Sequence, residues 1–250
     1  MSWNWVANGG TTASNTDGSI ASTVQANTTA GFSIITYTGT GSAGTVGHGL
    51  SSAPEWVMTK SRSNDTNDGF TIYHTGLTSA SYYVDLSKTN AEASASVVWN
   101  GTAPTSSVFS IGTASGTNNN SYTYVAYCWH SVDGFSKFGS YTGNGSADGP
   151  FVYTGFKPAW VMTKRTNSTG SWIIMDSKRS QFNQMSDYLL ADSTAAEVGS
   201  SGTVDIDFLS NGFKLRSNPN GFNGSGDVII YMAFAEHPFV GDGTSPVTAR

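Results

Sequence analysis

The phrase PEWVMTK at Pro54–Lys60 recurs as PAWVMTK at Pro158–Lys164, so the two copies start 158 − 54 = 104 positions apart. In each copy Trp and Met alternate with Val and Thr, which is the two-residue period of a β-strand. Both alternating sets are largely apolar, and two apolar faces are typical of a strand at the centre of a covered sheet. A proline is tolerated at the start of such a strand. We therefore predict one central, buried strand at each copy.

Matching segments flank both copies at nearly the same spacing, which is the signature of a repeated structural unit. One length change lies just after the phrase, where Ser61–Gly69 has nine residues and Arg165–Ser171 has seven. Changes of this kind belong in surface loops between strands. The matched pairs are Tyr37–Gly39 with Tyr141–Gly143, Phe70–His74 with Trp172–Asp176, Val108–Ile111 with Gly212–Leu215, and Tyr124–His130 with Tyr231–His237.

The repeat predicts two tandem β-sandwich units from an internal duplication, at residues 31–133 and 134–240. Short alternating segments separated by turns rich in Gly and Asn are typical of a sandwich. We expect residues 1–30 to form an N-terminal segment containing the end of a preceding repeat, because Ser2–Trp5 resembles the last strand of the first unit at Ala126–Trp129. Residues 241–250 are then a C-terminal tail.

The composition favours an all-β protein and argues against several classes of partner. Only four glutamates occur and the charged share is 12%, so good helix formers are scarce while Thr, Val, Ile and aromatic residues are frequent. A net charge of −5 gives no basic surface for nucleic acid. No apolar stretch approaches the ~18 residues of a membrane span, and the first ten residues do not resemble a secretion signal. The single cysteine, Cys128, cannot form an internal disulfide.

The four histidines show no catalytic pattern. His48 lies in VGHGL, and the matching YTGFKP of the second unit has no histidine. A duplicated site would keep its key residue in both copies, so we predict a role in a turn or a surface contact. His74 aligns with Asp176, but equivalent positions in tandem sandwiches lie far apart, so an acid–base pair is not expected. His130 and His237 align just after the last strand of each unit and are predicted to be structural.

The acidic residues do not form a recognisable metal or glycosidase site. Asn64–Gly69 offers oxygen ligands, and Asp205 and Asp207 share a strand face, but the bidentate glutamate of a calcium loop does not follow Asn64. We therefore favour a solvated turn, and expect no metal and no cofactor. Glycosidases need two carboxylates about 5 to 10 Å apart. None of the glutamates lies in an acidic, aromatic-rich motif, so no enzyme activity is predicted. They are Glu55, Glu92, Glu197 and Glu236.

The aromatic residues of the strands are predicted to be core, and the loops are predicted to carry any recognition. Four tryptophans lie within apolar strands and are favoured as core over sugar-stacking platforms. Cys128 alternates with strand residues and is expected to be a small core residue. Any ligand is expected at the two loops of unequal length, because loops on a rigid scaffold commonly bind. The four tryptophans are Trp56, Trp129, Trp160 and Trp172; the predicted ligand residues are Arg62, Asn64, Asp65, Asp68, Arg165 and Asn167.

Long stretches of the chain resemble a known family. NTDGSIASTVQANTTAGFSIITYTGTG, VGHGL, the P-x-WVMTK phrase, WNGTAPTSSVFSIGT, TYVAYCW and YMAFAEHPFVGDGTSPVTAR look like the concanavalin-like repeat of virion structural proteins from marine tailed bacteriophages. The resemblance extends from about Asn15 to Arg250. It implies a concanavalin-like or jelly-roll-like sandwich in a tail fibre or another appendage. The family supplies no catalytic motif, so no functional residue is carried over from it.

These observations together predict a non-enzymatic virion structural protein, in a fibre, spike or decoration assembly. By analogy with such assemblies we expect a homo-oligomer, with a trimer as the specific expectation, in contact with other virion proteins. A host-surface glycan is a further expected partner, whereas nucleic acid binding and membrane insertion are not expected. The alternative is a carbohydrate-binding, lectin-like module, and a polysaccharide hydrolase is a third, less favoured class.

Overall fold

Both copies of the WVMTK phrase form interior β-strands in the computed structural model of the chain. All pairs between the named strands are antiparallel, and both helices of the described residues are only four residues long. The fold is therefore all-β with several antiparallel sheets, consistent with β-sandwich packing, and the predicted fold class is confirmed to that extent. The structure describes residues 4–7, 10–63, 69–199 and 202–237.

The first compact unit comprises Met1–Leu86 and Glu92–Ser131. Its elements are β1 (Ala13–Asn15), β2 (Ser22–Asn27), β3 (Phe32–Thr38), β4 (Gly44–Gly47), β5 (Trp56–Ser61), β6 (Thr71–His74), β7 (Tyr82–Asp85), β8 (Ala93–Ser94), α1 (Ser96–Trp99), β9 (Val108–Ile111), α2 (Ser115–Asn118) and β10 (Thr123–Trp129). One sheet has the strand order β1-β2-β3-β10-β5-β6-β7-β8, and β4 pairs with β9 in a separate small sheet.

The core of the first unit lies between its large sheet and its small sheet. β5 pairs with β10 on one side and with β6 on the other, so the predicted central position is confirmed. Val57 of β5 and Cys128 of β10 join a buried cluster with Val46 and Phe109 of the small sheet. Full burial of an apolar side chain of this size contributes about 1.5 to 3 kcal/mol. This apolar layer attaches the small sheet to one face of the large one.

The second compact unit comprises Ser87–Ala91 and Val132–Arg250. Its strands are β11 (Ser136–Thr142), β12 (Phe151–Tyr153), β13 (Pro158–Arg165), β14 (Ile173–Asp176), β15 (Asp187–Leu190), β16 (Val198–Gly199), β17 (Ile206–Leu209), β18 (Gly212–Leu215) and β19 (Val228–Ala235). One sheet has the order β11-β19-β13-β14-β15-β16, and β12, β18 and β17 form a three-stranded sheet.

The core of the second unit is built in the same manner. β13 lies between β19 and β14, and its register against β19 shifts between Pro158 and Trp160. Val161 of β13 packs in one buried cluster with Phe213 of the small sheet and Ile229 of β19. The predicted strands around both copies of the phrase are thus confirmed.

A buried asparagine fastens a loop in the first unit. Asn118 accepts a hydrogen bond from the Thr40 N–H at 2.7 Å and donates to the Ser42 and Gly112 carbonyl oxygens, each at 2.7 Å. Beside it, Tyr37 of the Tyr-Thr-Gly motif donates its hydroxyl to the Thr117 carbonyl at 2.7 Å. Three of these bonds, all except the one to Gly112, join chain segments nearly eighty positions apart, so they hold the turn after β3 against α2.

The second unit contains a matching arrangement at Asn223. Its amide accepts from the Asn144 N–H at 3.0 Å and donates to the Ser146 and Ser217 carbonyls at 2.8 and 2.9 Å. Tyr141 of the second Tyr-Thr-Gly motif donates to the Phe222 carbonyl at 2.9 Å. The matched Tyr-Thr-Gly segments therefore have a structural explanation: each supplies a buried tyrosine that fixes a distant backbone.

Candidate functional site

His48 is a structural residue at a turn. Its ring is completely buried, Nε2 lies 3.1 Å from the Thr105 carbonyl oxygen, and Nδ1 accepts the Leu50 N–H at 3.1 Å. This pairing requires the proton on Nε2, and burial lowers the pKa of the ring below its ordinary value. The predicted turn role is confirmed, while the alternative of a surface contact is wrong because neither ring nitrogen reaches the surface.

The aligned pair His74 and Asp176 supports the turn that follows each strand. His74 accepts the Gly76 N–H at 2.8 Å, and its ring meets the Trp56 ring edge-on at 5.5 Å. Asp176 accepts the backbone N–H groups of the turn after β14 at 3.0 and 2.9 Å and binds the Arg179 side chain at 3.1 Å. The same position thus carries two different side chains with one role, which is to cap a turn.

The buried aspartates of the second unit are paired with protein groups. Asp207 binds Arg216 at 2.5 Å, and Asp205 accepts the Gly202 N–H at 2.6 Å. Both residues are buried. The loop residues Asn64–Asp68 lie outside the described residues. Within the described ranges, no group of three or more His, Cys, Asp or Glu side chains could hold a metal ion.

Each glutamate contacts a neighbour within its own unit. Glu55 accepts the Ser131 N–H at 2.5 Å, Glu92 accepts from Thr78, Glu197 pairs with Arg179, and Glu236 pairs with Lys157 at 2.6 Å.

The predicted core residues are buried as expected. Trp56, Trp129, Trp160 and Trp172 are at most 6% exposed, so none of them is a platform for a surface ligand. Cys128 is also completely buried, and burial raises the pKa of its thiol far above the ordinary value. A protonated thiol without solvent access is not a nucleophile.

The predicted ligand residues of the two loops lie in different surroundings. Arg165 binds Asp227 at 2.6 Å, and Asn167 donates to the Gly226 carbonyl at 2.9 Å while accepting the Val228 N–H at 3.1 Å. These polar groups fasten their loop to β19. Arg62 is exposed and lies in a groove of about 280 Å³ in the first unit, lined mainly by Ser and Thr hydroxyls. Asn64, Asp65 and Asp68 lie outside the described residues, so the loop site stays a prediction.

Lys164, the last residue of the second PAWVMTK copy, is a buried lysine held by backbone carbonyls. Its ammonium group donates to the carbonyl oxygens of Gly170 at 2.7 Å, Arg165 at 3.0 Å and Thr89 at 3.1 Å. Burial, the dominant cause, lowers the pKa of this amine to about 8. Lys164 therefore fixes the loop after β13 and the Ser87–Ala91 segment of the same unit.

Because the pKa of Lys164 is lowered in the folded chain, we predict that the free energy of unfolding rises with pH. The unfolded chain binds more protons than the folded chain between about pH 8 and the ordinary lysine pKa of 10.5, so the free energy of unfolding rises across that window. We expect Lys164→Met to remove about 1 to 2 kcal/mol of this rise, after allowance for solvent screening. Urea unfolding of both proteins at about pH 7.5 and pH 10 measures it. The exposed Lys178→Met is the matched control, and equal pH dependence in the wild type and Lys164→Met would contradict the assignment.

The second unit has an open side between β11 and β12. A cavity of about 490 Å³ lies there, within the ~300–1,000 Å³ range of small-ligand sites. Tyr153 in it is 65% exposed, and Phe151, on the same face of β12, is 45% exposed. We call this cavity the open cleft; it is lined by Asp133, Gly134, Lys137, Tyr153, Thr154 and Gly155.

In the first unit the same side is closed by the N-terminal strands. β2 pairs with β3, and the Ile20 N–H donates to the carbonyl of Thr45 in β4 at 2.9 Å. Among the described residues of the second unit, β11 pairs with β19 alone, and no strand takes the place of β2. Sequence reasoning missed the cleft. The signal was the FVY triplet at 151–153, in which two aromatic residues alternate with Val152 on a short edge strand.

Comparison with known proteins supplies a family without a function. A family model described as "Domain of unknown function (DUF7483)" matches residues 1–238. No curated protein and no solved structure matches the chain. Within the described residues, no helix is long and apolar enough to cross a membrane.

Proposed function

The chain belongs to the DUF7483 family of unknown function, and we propose that it is a non-enzymatic structural protein of a bacteriophage virion, in a fibre, spike or decoration assembly. The likeness of its long segments to the concanavalin-like repeat of marine tailed-phage virion proteins supports this role. An all-β fold with few charges and a surface rich in hydroxyl groups suits a component of an extracellular particle.

One observation supports the non-enzymatic part of the proposal: three buried side chains capable of acid–base chemistry hold the fold together. His48 joins two backbone segments, Asp176 caps a turn, and Lys164 binds three carbonyls. A catalytic acid or base needs access to a substrate proton. These three groups are buried, and their partners are backbone atoms and, for Asp176, also the Arg179 side chain.

We further propose that the two units arose by duplication and share a jelly-roll-like sandwich. The equivalent strands follow one another in the same spatial order, β3-β10-β5-β6-β7-β8 beside β11-β19-β13-β14-β15-β16. The hydrogen bonds of Asn118 and Asn223 support the same view, because each amide bonds one N–H and two carbonyls at matching places. Such long-range agreement is hard to reach by convergence of two unrelated units.

The proposal includes partners and a location. The chain works in the virion as a homo-oligomer, a trimer by analogy, in contact with other virion proteins and with a glycan of the host surface. The second candidate function is a carbohydrate-binding, lectin-like module that acts outside a virion. The open cleft favours it, because an exposed aromatic ring beside charged groups is a common feature of ligand sites.

Peptide mass spectrometry of purified particles tests the virion role. Particles of the virus whose genome encodes the chain would be banded twice on density gradients and compared with the soluble lysate fraction. We expect the chain to remain at a constant ratio to the major capsid protein through both gradients, while a non-structural enzyme of the same genome is lost. Recovery of the chain in the soluble fraction alone would overturn the virion role and favour the lectin-like module.

A further inference from the structure

We propose that the open cleft of the second unit binds a neutral pyranose sugar, stacked on Tyr153 and hydrogen-bonded by Asp133 and Lys137. The inference rests on the proposed function in one respect, since the sugar is the host-surface ligand of that proposal. The residues concerned lie outside both loops that the sequence analysis selected.

Tyr153 provides the stacking surface. Its side chain is 65% exposed on the outer face of β12, although burial of an aromatic ring of this size is strongly favourable. The ring leans over Gly155, because a Cβ atom at that glycine would lie 3.6 Å from the Tyr153 hydroxyl oxygen. Because residue 155 has no side chain and the ring is largely exposed, the ring has surface available to the C–H face of a sugar. The phenol hydroxyl at the tip remains in reach of solvent or a sugar hydroxyl.

Asp133 and Lys137 provide the polar contacts. Both line the cleft, Asp133 exposed and Lys137 half-buried at the start of β11. A carboxylate accepts two sugar hydroxyls and an ammonium group donates to others, so the pair satisfies both kinds of hydroxyl contact. One negative and one positive charge line the cleft, so it has no net charge to attract a hexuronate, and the hydroxyls of a neutral sugar can satisfy both side chains.

The fold itself does not require these residues. Val46 pairs with Phe109 in the first unit as Val152 pairs with Phe213 in the second, so Val46 is equivalent to Val152. The positions equivalent to Phe151 and Tyr153 are therefore the two residues that flank Val46 in β4. In the first unit those positions carry Thr45 and Gly47, and the position equivalent to Lys137 is Ser33. The unit is thus complete with small residues there.

A strand is a poor occupant of the cleft. In the first unit β1 approaches Gly47 so closely that a Cβ atom there would overlap the Asn15 side chain. The second unit has Tyr153 at that place, and its ring would block a strand that followed the path of β1 and β2. The cleft therefore suits a small ligand that lies against the ring, rather than the N-terminal strands of a second copy of the chain.

A glycan array carrying neutral hexose, N-acetylhexosamine and hexuronate oligosaccharides, probed with the purified full chain, tests the inference. We expect retention on neutral pyranosides. Calorimetric titration with the best of them should show binding at least about tenfold weaker for Tyr153→Ala, as expected from loss of aromatic stacking. Asp133→Asn should also weaken binding, since it replaces one of the two carboxylate oxygens that accept sugar hydroxyls with an NH₂ group. Phe182→Ala is the matched control, because that ring is 82% exposed but does not line the cleft.

The outcomes separate the inference from the proposed function. No retention by the wild type, a preference for hexuronates, equal binding by Tyr153→Ala, or an equal loss in Phe182→Ala would each overturn the assignment. A chain found in virions that binds no sugar overturns this inference and the glycan partner, and leaves the structural role in the virion standing. A chain that binds sugar through Tyr153 but is absent from virions overturns the virion role alone.

Discussion

Asn223→Ala is expected to lower the free energy of unfolding by about 2 to 4 kcal/mol, because it leaves one buried and two part-buried backbone groups without their partner. The amide bonds the Asn144 N–H and the Ser146 and Ser217 carbonyls, and Asn223 is completely buried. An alanine can replace none of these bonds, and the space left by the amide is an additional cost. The same change at Asn118 should have a similar effect, since its amide makes the same three kinds of bond.

Urea unfolding followed by circular dichroism measures this loss. Asn218→Ala is the matched control, because Asn218 is exposed and makes one long hydrogen bond, to the Gly145 carbonyl at 3.3 Å. We expect the control to change the free energy of unfolding by less than about 0.5 kcal/mol. If Asn223→Ala were no more destabilised than Asn218→Ala, the amide would not hold this loop.

Gly143→Ala is expected to destabilise the chain by about 2 to 4 kcal/mol, through backbone overlap rather than a lost side chain. A Cβ atom at Gly143 would overlap the Gly224 carbonyl oxygen and lie 2.8 Å from the Asn223 carbonyl carbon. Moving the backbone apart would weaken the bond from the Gly143 N–H to the Asp227 carbonyl, now 2.8 Å. This close approach explains why glycine follows Tyr-Thr in both repeats.

The control for Gly143→Ala is Ser140→Ala, an exposed position on β11, the strand that ends just before Gly143. Thermal unfolding of the two variants beside the wild type makes the comparison. The control should unfold close to the wild-type temperature and Gly143→Ala well below it. Equal melting temperatures would mean that the turn relaxes at little cost, and that the close approach does not constrain this position.

Much of the fold could be predicted from local pattern. The alternation in WVMTK predicts a strand with two apolar faces, and β5 and β13 are interior strands for that reason. The roles of Tyr37 and Asn118 could not be predicted in the same way, because their partners lie far away in the chain. His48 shows that a local pattern can also mislead. Its flanking glycines suggested an exposed side chain, yet the ring is buried, with both nitrogens hydrogen-bonded to backbone groups.

The candidate site was harder to predict than the fold. Arg165 and Asn167 looked like free loop residues, but both are used to attach the loop to β19, a contact between segments about sixty positions apart. The open cleft depends on a tertiary circumstance, since β2 covers β3 in the first unit and nothing described covers β11 in the second. Local periodicity at Tyr153 shows only that the ring faces away from Val152, not that the neighbouring space is open.

Electron cryo-microscopy of intact particles tests the central claim most directly, because it reports both presence and location. The account predicts density for the two all-β units on the outside of the particle, in a fibre, spike or decoration, with Tyr153 of the second unit facing solvent. Density for the chain inside the capsid, or a complete map of the particle with no density for it, would contradict the proposal that the chain is an external structural protein of the virion.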